Sequence, residues 1–285
     1  MSQSNTQSIA AEASGQACGA LVRGVNLADE LSTEEIAELR SLWLQHQVIG
    51  FPDQPMSIDN LKRLALAFGP HGDDPFLASI PGHAHVVEIK READEITPLF
   101  AESWHSDWSF LPIPPAGTML YGSVIPPTGG DTLFANQYAS YEALPGTTKR
   151  LIEGRMGIHS ARKGYAREGL YGDRDRGRSM AIISNDSARK TQLHPLVRVH
   201  PETGRKALFV NPGYTIGIDR MGDEGEALLN ELFAHQVKPE FIYRHRWQAN
   251  MVLLWDNRCL VHAATGGYQG HRRVLNRITI AESNS

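Results

Sequence analysis

A chain of 285 residues with 41% hydrophobic content can bury a large core and sits near the size at which one core stops growing, so one domain with insertions is expected. The formal net charge of -4, with 28 Lys and Arg scattered in no long run, leaves no basic footprint for nucleic acid. No apolar run approaches the roughly 18 residues of a membrane span. Cys18 and Cys259 lie too far apart to suggest a disulfide framework, which fits a reducing cytoplasm.

Met1 to Gly15 is Ser/Gln/Ala-rich and lacks the charged and apolar regions of a signal peptide, so residues 1–16 are expected to be a disordered tail and 17–285 a single domain. Leu21 to Val25 alternates like a short strand. Ser32 and Glu35 then form a capping-box pattern that starts a helix to about His46, and Val48 to Phe51 reads as a buried strand closed by Pro52. Ser57 caps a second helix, with Leu61, Leu64 and Phe68 at helical spacing before Gly69-Pro70 ends it. Residues 69–84 are irregular and carry His71, Asp73 and Asp74 among Gly and Pro. Val86 to Ile89 is the next strand, and a polar loop delivers the chain to Trp104-His105-Ser106-Asp107.

Beyond Asp107 the pattern turns strongly β. Thr118 to Val124 and Asp131 to Phe134 flank a Pro/Gly turn, and Tyr138 to Glu153 holds helical turns broken at Pro145-Gly146. Residues 161–190 are too polar for core, and a long segment of that kind is expected to be a lid over a site or else disordered. A hairpin joins Leu196–Val199 to Ala207–Val210, and Asp223 to Val237 is an amphipathic helix. Strands follow at Phe241–Trp247, Met251–Trp255, Cys259–Ala263 and Arg272–Ile280. Many short strands at this density indicate a mainly β domain with flanking helices, a double-stranded β-helix or jelly roll of the cupin-like kind.

On a strand, residues i and i+2 share a face, so His105 and Asp107 would offer an imidazole and a carboxylate side by side. A second histidine would complete the two-His-one-carboxylate triad typical of non-haem Fe(II) oxygenases. His262 is the candidate, because a short connection through Thr265–Gly270 would make a hairpin that puts it beside the strand of Arg273. On that last strand Arg273, Leu275, Arg277 and Thr279 share one face, and Val274, Ile278 and Ile280 the other. If the arginine face lines the barrel interior, two guanidinium groups there require anionic partners. Arginine's planar fork suits carboxylate, sulfonate or phosphate groups.

His105-x-Asp107, followed far downstream by His262 and then Arg273, resembles the Fe(II)/2-oxoglutarate-dependent dioxygenases. Gly129-Gly130-Asp131-Thr132, Trp255-Asp256-Asn257-Arg258, the Arg273/Arg277 pair and the segment from His194 to Asn211 look like the taurine dioxygenase/TfdA-like group in particular, over about Leu21 to Ile280. The resemblance implies that His105, Asp107 and His262 hold Fe(II) and that Thr132 and Arg273 bind the distal carboxylate of 2-oxoglutarate. O2 would take the remaining metal position, and Arg277 would contact an anionic substrate head. Succinate and CO2 would be released, and hydroxylation next to a heteroatom can collapse to free the head group. Family members often form homodimers or homotetramers, and that kind of assembly is what the resemblance implies here.

The chain departs from the taurine-cleaving pattern at two places. Ala101 stands where those members place an Asn, and Asp73 or Asp74 falls where they place a loop His. The expected substrate is therefore a small organic anion, whether sulfonate, sulfate ester, phosphonate or carboxylate such as an aryloxyalkanoate. Asp74, His71, Tyr214 and Phe110 are the further candidates for contacting it. Two other readings remain open at this point: a non-catalytic binder of small anions, and a metal-dependent hydrolase, which would leave Arg273 and Thr132 without a task.

Overall fold

The computed structural model describes residues 8–282, and its organising element is a seven-stranded sheet. Its strands, in spatial order, are Ala10–Ala13, Ala20–Arg23, Val48–Phe51, Val252–Asp256, Gly117–Val124, Arg273–Ile280 and Val87–Arg91. All pairings are antiparallel except that of Ala20–Arg23 with Val48–Phe51. A smaller sheet, with Thr132–Asn136 between Ile242–His245 and Leu260–Ala264, supplies the other wall of the barrel. A second three-stranded sheet, from Thr215–Ile218, Met156–Ser160 and Thr191–Pro195, and the hairpin of Val197–Val199 with Lys206–Leu208 extend this side. The result is the jelly roll with outer helices that the strand density predicts.

The two helices of the first quarter form because their starts are satisfied twice over. Ser32 accepts from the Glu35 N–H while Glu35 reaches back to the Ser32 N–H, and Ser57 and Asn60 repeat the arrangement for Ile58–Phe68. Leu39, Trp43, Leu61, Leu64 and Phe68 from these helices pack on Met119, Leu254, Ile278 and Ile280 of the large sheet. The alternate residues of the same strands, Leu120, Leu253, Trp255 and Leu275, point the other way and meet Phe134 from the small sheet. Both faces of the Arg273–Ile280 strand are therefore buried, and its arginines point into the barrel.

Three local expectations are corrected, and one alternative left open is answered. Part of the supposed tail is a strand, since Ala10–Ala13 pairs with Ala20–Arg23; residues 1–7 lie outside the described residues. His105 and Asp107 do not lie on a regular strand. His105 makes a single bridge to His262, and the chain then turns, with Trp108 at φ 46°. His262 and Arg273 are not on hairpin neighbours either, because the connection after Ala264 crosses from the small sheet to the large one. Residues 161–190 are ordered: Tyr165, Ala166, Met180 and Ala188 are buried in a cluster with Phe76, Trp108 and Tyr214. Polar composition there reflects turns and ion pairs around that small apolar anchor.

Candidate active site

The first two candidate ligands are brought together by the backbone. The His105 N–H donates to the His262 carbonyl at 3.0 Å and the His262 N–H returns to the His105 carbonyl at 2.7 Å, which sets their rings 4.2 Å apart. The turn that follows swings Asp107 inward, so that its Oδ1 lies 3.7 Å from His105 Nε2 and 3.8 Å from His262 Nε2. All three ligand atoms lie within 4.8 Å of one another, and all three residues are buried. His105 Nδ1 faces the Ser103 carbonyl at 2.7 Å, so the ring proton belongs there and the Nε2 lone pair is left for a metal.

Asp107 is held by more than its neighbours in the triad. Its Oδ2 accepts from Thr118 Oγ1 at 2.6 Å, and Thr118 is itself fixed by Asn257 Nδ2 at 2.9 Å. Asn257 also accepts from Trp255 Nε1, and its carbonyl accepts from Ser106. The adjacent Asp256 forms a two-point pair with Arg258 and accepts from His200 at 3.0 Å. The Trp255–Arg258 motif thus acts as the clamp that sets the turn bearing Asp107. His200, bonded to Asp256, and His194, bonded to the Leu111 carbonyl, have structural roles.

Burial and charge fix the protonation of the set. Burial alone would raise the Asp107 pKa, but Arg277, then His262 and His105, overcome it and hold the carboxyl well below the usual carboxylate range. Burial lowers the His105 pKa and takes that of His262 down to about 3, with Asp107 opposing in each case. Both imidazoles are neutral near pH 7, as metal ligation requires. His159 and His245 are likewise lowered by burial to about 3. An unfolded histidine takes up its proton near 6.5 and these folded ones do not, so acid favours the unfolded state. The metal-free protein is expected to lose stability as pH falls from about 6.5 towards about 3. Denaturant melts across that window test this; a midpoint unchanged until unfolded-chain carboxylates begin to protonate, at about 4, would contradict it.

The triad opens into a cavity of about 820 Å³, mouth included, lined also by Thr132, Arg273, Arg277, Tyr165 and Tyr214. Arg273 is 6% exposed, yet its one hydrogen bond goes to the Gly130 carbonyl at 3.0 Å and its Nε has no partner. Burial lowers its pKa, and Tyr268 and Asp131 compensate only in part. Thr132 Oγ1 accepts from Trp247 Nε1 at 3.0 Å, a bond that does not use the threonine's own proton. Gly129 and Gly130 take φ of 72° and 70°; a Cβ on Gly129 would stand 2.5 Å from the Gly267 backbone, and one on Gly130 would meet Arg273 Nε at 2.9 Å. The Gly-Gly turn is what allows a guanidinium to lie against this backbone.

Residues 9–279 match the model of the family described as Taurine catabolism dioxygenase TauD, TfdA family. The chain belongs to the TauD/TfdA family. As a member it is an oxidoreductase, a dioxygenase that uses Fe(II), 2-oxoglutarate and O2. It is 30% identical to a (S)-phenoxypropionate/alpha-ketoglutarate-dioxygenase of Sphingobium herbicidovorans, covering 90% of this chain and 89% of that one. It is also 30% identical to an alkylsulfatase of Acinetobacter baylyi, covering 92% of this chain and 82% of that one. Among solved structures, AAD-2 in complex with Mn(II) and N-oxalylglycine superposes with a TM-score of 0.78 at 30% identity, over 97% of this chain and 98% of the other.

Within this TauD/TfdA fold the other candidate residues fall in different places. Tyr214 lines the cavity, edge-on to His105 at 6.0 Å. Phe110 stands behind it, 5.0 Å from the Tyr214 ring and not on the cavity wall. Asp74 is not on the wall either; it sits behind Arg277 and bonds to it. His71 is removed from the substrate set, because its Nε2 faces the Lys62 carbonyl at 3.0 Å away from the cavity. Tyr165 and Arg178, which do line the cavity, come from the 161–190 insertion. Arg178 is pinned by Asp175 at 2.5 Å and neighbours Glu95, which also accepts from Ser179 and Thr97. Among the described residues no helix is long and apolar enough to cross a membrane.

Proposed function

We propose that His105, Asp107 and His262 hold Fe(II), that Thr132 and Arg273 seat the distal carboxylate of 2-oxoglutarate, and that Arg277 receives the head of a small organic anion. The observation that carries this reading is Arg273, a buried cation with an unpartnered Nε in the same cavity as three convergent ligand atoms. A buried cation without an anion is costly, and a dicarboxylate offers the missing partner. A hydrolase would use the ligands but give Arg273 nothing to bind. Two neutral nitrogens and one carboxylate oxygen suit Fe(II) and leave positions for a chelating keto acid.

When bound, iron with 2-oxoglutarate and O2 supplies the oxidising power to hydroxylate a C–H bond, the keto acid leaving as succinate and CO2. The residues of the chain bind and orient. Thr118 and Arg277 fix the Asp107 carboxylate from two sides, at 2.6 and 3.0 Å, so a ligand oxygen faces the two imidazoles. Tyr165, Tyr214 and Trp255 exclude water around the reacting carbon. The 161–190 insertion acts as a lid, and the Arg178–Asp175 pair with Glu95 is the latch that holds it.

Similarity to an alkylsulfatase and to a phenoxypropionate dioxygenase supports an anionic substrate whose hydroxylated carbon bears a heteroatom, so that the product can collapse and free the head group. Two buried free thiols support action in the cytoplasm. A screen of sulfonates, sulfate esters, phosphonates and aryloxy acids for Fe(II)-dependent succinate formation tests the reading. With an accepted substrate, Arg277→Lys, which keeps a cation beside Asp107 and Asp74 but loses the planar fork, is expected to raise the substrate KM by about tenfold or more while moving the 2-oxoglutarate KM little. Equal losses for both would show that Arg277 does not belong to the substrate.

A further inference from the structure

Arg277 is not a free cation waiting for an anion. Its Nε donates to Asp74 Oδ1 at 2.9 Å, one terminal nitrogen donates to Asp107 Oδ1 at 3.0 Å, and the other donates to Thr279 Oγ1 at 3.1 Å. Asp74 is built into this position. The same Oδ1 accepts from Trp108 Nε1 at 2.8 Å and from Thr279 Oγ1 at 2.9 Å, and its side chain is 4% exposed. Its second oxygen, Oδ2, is buried with no hydrogen-bond partner, so the carboxylate's charge is only partly neutralised from the far side. Trp108 covers the guanidinium at 5.3 Å, which keeps water from screening the pair.

We infer that Asp74, acting through Arg277, is a specificity-determining residue that limits the substrate head group to one negative charge. The inference rests on the reading that Arg277 receives the head group. One unit of negative charge can be met by the N–H groups that Arg277 still presents to the cavity. A second would face the Asp74 carboxylate across a guanidinium that is already shared with it. The other cations on the cavity wall are committed elsewhere: Arg178 to Asp175 and Glu95, Arg91 to Glu95, Lys90 to Glu92. Arg273 is reserved for the co-substrate. Sulfate monoesters, sulfonates and carboxylates therefore fit, and a dianionic phosphonate does not.

The test is an equilibrium binding series, read by tryptophan fluorescence on protein loaded with Mn(II) and 2-oxoglutarate. The ligands share one alkyl chain: a sulfate, a sulfonate, a phosphonate in alkaline buffer where it is doubly charged, and the monomethyl ester of that phosphonate. Wild-type protein is expected to bind the ester about tenfold or more tightly than the parent dianion, the scale of one uncompensated charge at short range. In Asp74→Asn that ratio should shrink towards one, and so should the preference for the sulfonate over the dianion, a change that loss of packing would not produce because sulfonate and phosphonate share size and shape. Equal binding of ester and dianion by the wild type, or an unchanged ratio in Asp74→Asn, overturns the inference while leaving the anion reading intact. Equal binding by the wild type overturns the inference even if the variant does not fold. Binding of none of the four overturns both.

Discussion

Asp107→Ala abolishes Fe(II)-dependent succinate formation and removes tight iron binding, and it does so without unfolding the protein. On the proposed reading the residue has two tasks. Its Oδ1 faces His105 and His262 at 3.7 and 3.8 Å, and the same oxygen accepts from Arg277 at 3.0 Å. Without the carboxylate the site keeps two neutral imidazoles and loses its one anionic ligand, so iron is held weakly and activity is lost. Breaking a buried ion pair by removing one partner typically costs about 3 to 5 kcal/mol. Here Arg277 keeps Asp74 at 2.9 Å and Thr279, so the stability loss should fall below that range. Iron titration and thermal melting of the same preparation check both halves. Tight iron binding by the variant would remove Asp107 from the metal site.

Arg273→Met is expected to weaken 2-oxoglutarate by roughly thirtyfold or more, since truncating one member of a buried charge pair typically costs about 2 to 5 kcal/mol. The same substitution should leave the co-substrate-free protein as stable as wild type or more stable. The reason is that the wild-type guanidinium is buried with one carbonyl partner and an unpaired Nε, a burden that an apolar side chain of similar length does not carry. Loss of function with gain of stability separates a binding residue from a structural one. Isothermal titration with 2-oxoglutarate and a denaturant melt measure the two effects. A variant that is both destabilised and unchanged in co-substrate affinity would assign Arg273 to the fold instead.

The chemistry of this site was legible in the sequence further than its geometry. Residue types and chain order single out His105, Asp107, His262 and Arg273, and the period-2 pattern of Arg273–Ile280 correctly puts the arginines on the face opposite Val274 and Ile278. How the side chains meet was not legible. Asp107 reaches the histidines through a turn with a positive φ at Trp108, not along a pleated strand. The chain from His262 to Arg273 passes between sheets, because strand pairing depends on partners more than 120 residues earlier in the chain. Asp74 and Arg277 are 203 residues apart, and nothing local marks them as a pair. The anchor inside the 161–190 insertion is missed for a related reason: Tyr165 follows Arg, Lys and Gly, Met180 opens a four-residue apolar run too short to read as core, and only their packing on Phe76 and Trp108 reveals them as such. Ala10–Ala13 lacks the β-branched and aromatic residues that advertise a strand and pairs because its neighbour offers an open edge.

The most direct measurement is visible absorption of the metal-free protein mixed with Fe(II) and 2-oxoglutarate in the absence of O2. A keto acid chelated to iron in a three-ligand site gives a charge-transfer band. The band should form in the wild type, vanish in Asp107→Ala and in His262→Ala, and demand much more 2-oxoglutarate in Arg273→Met. A wild-type protein that binds iron and shows no such band, or a band that survives loss of His262, would contradict the account.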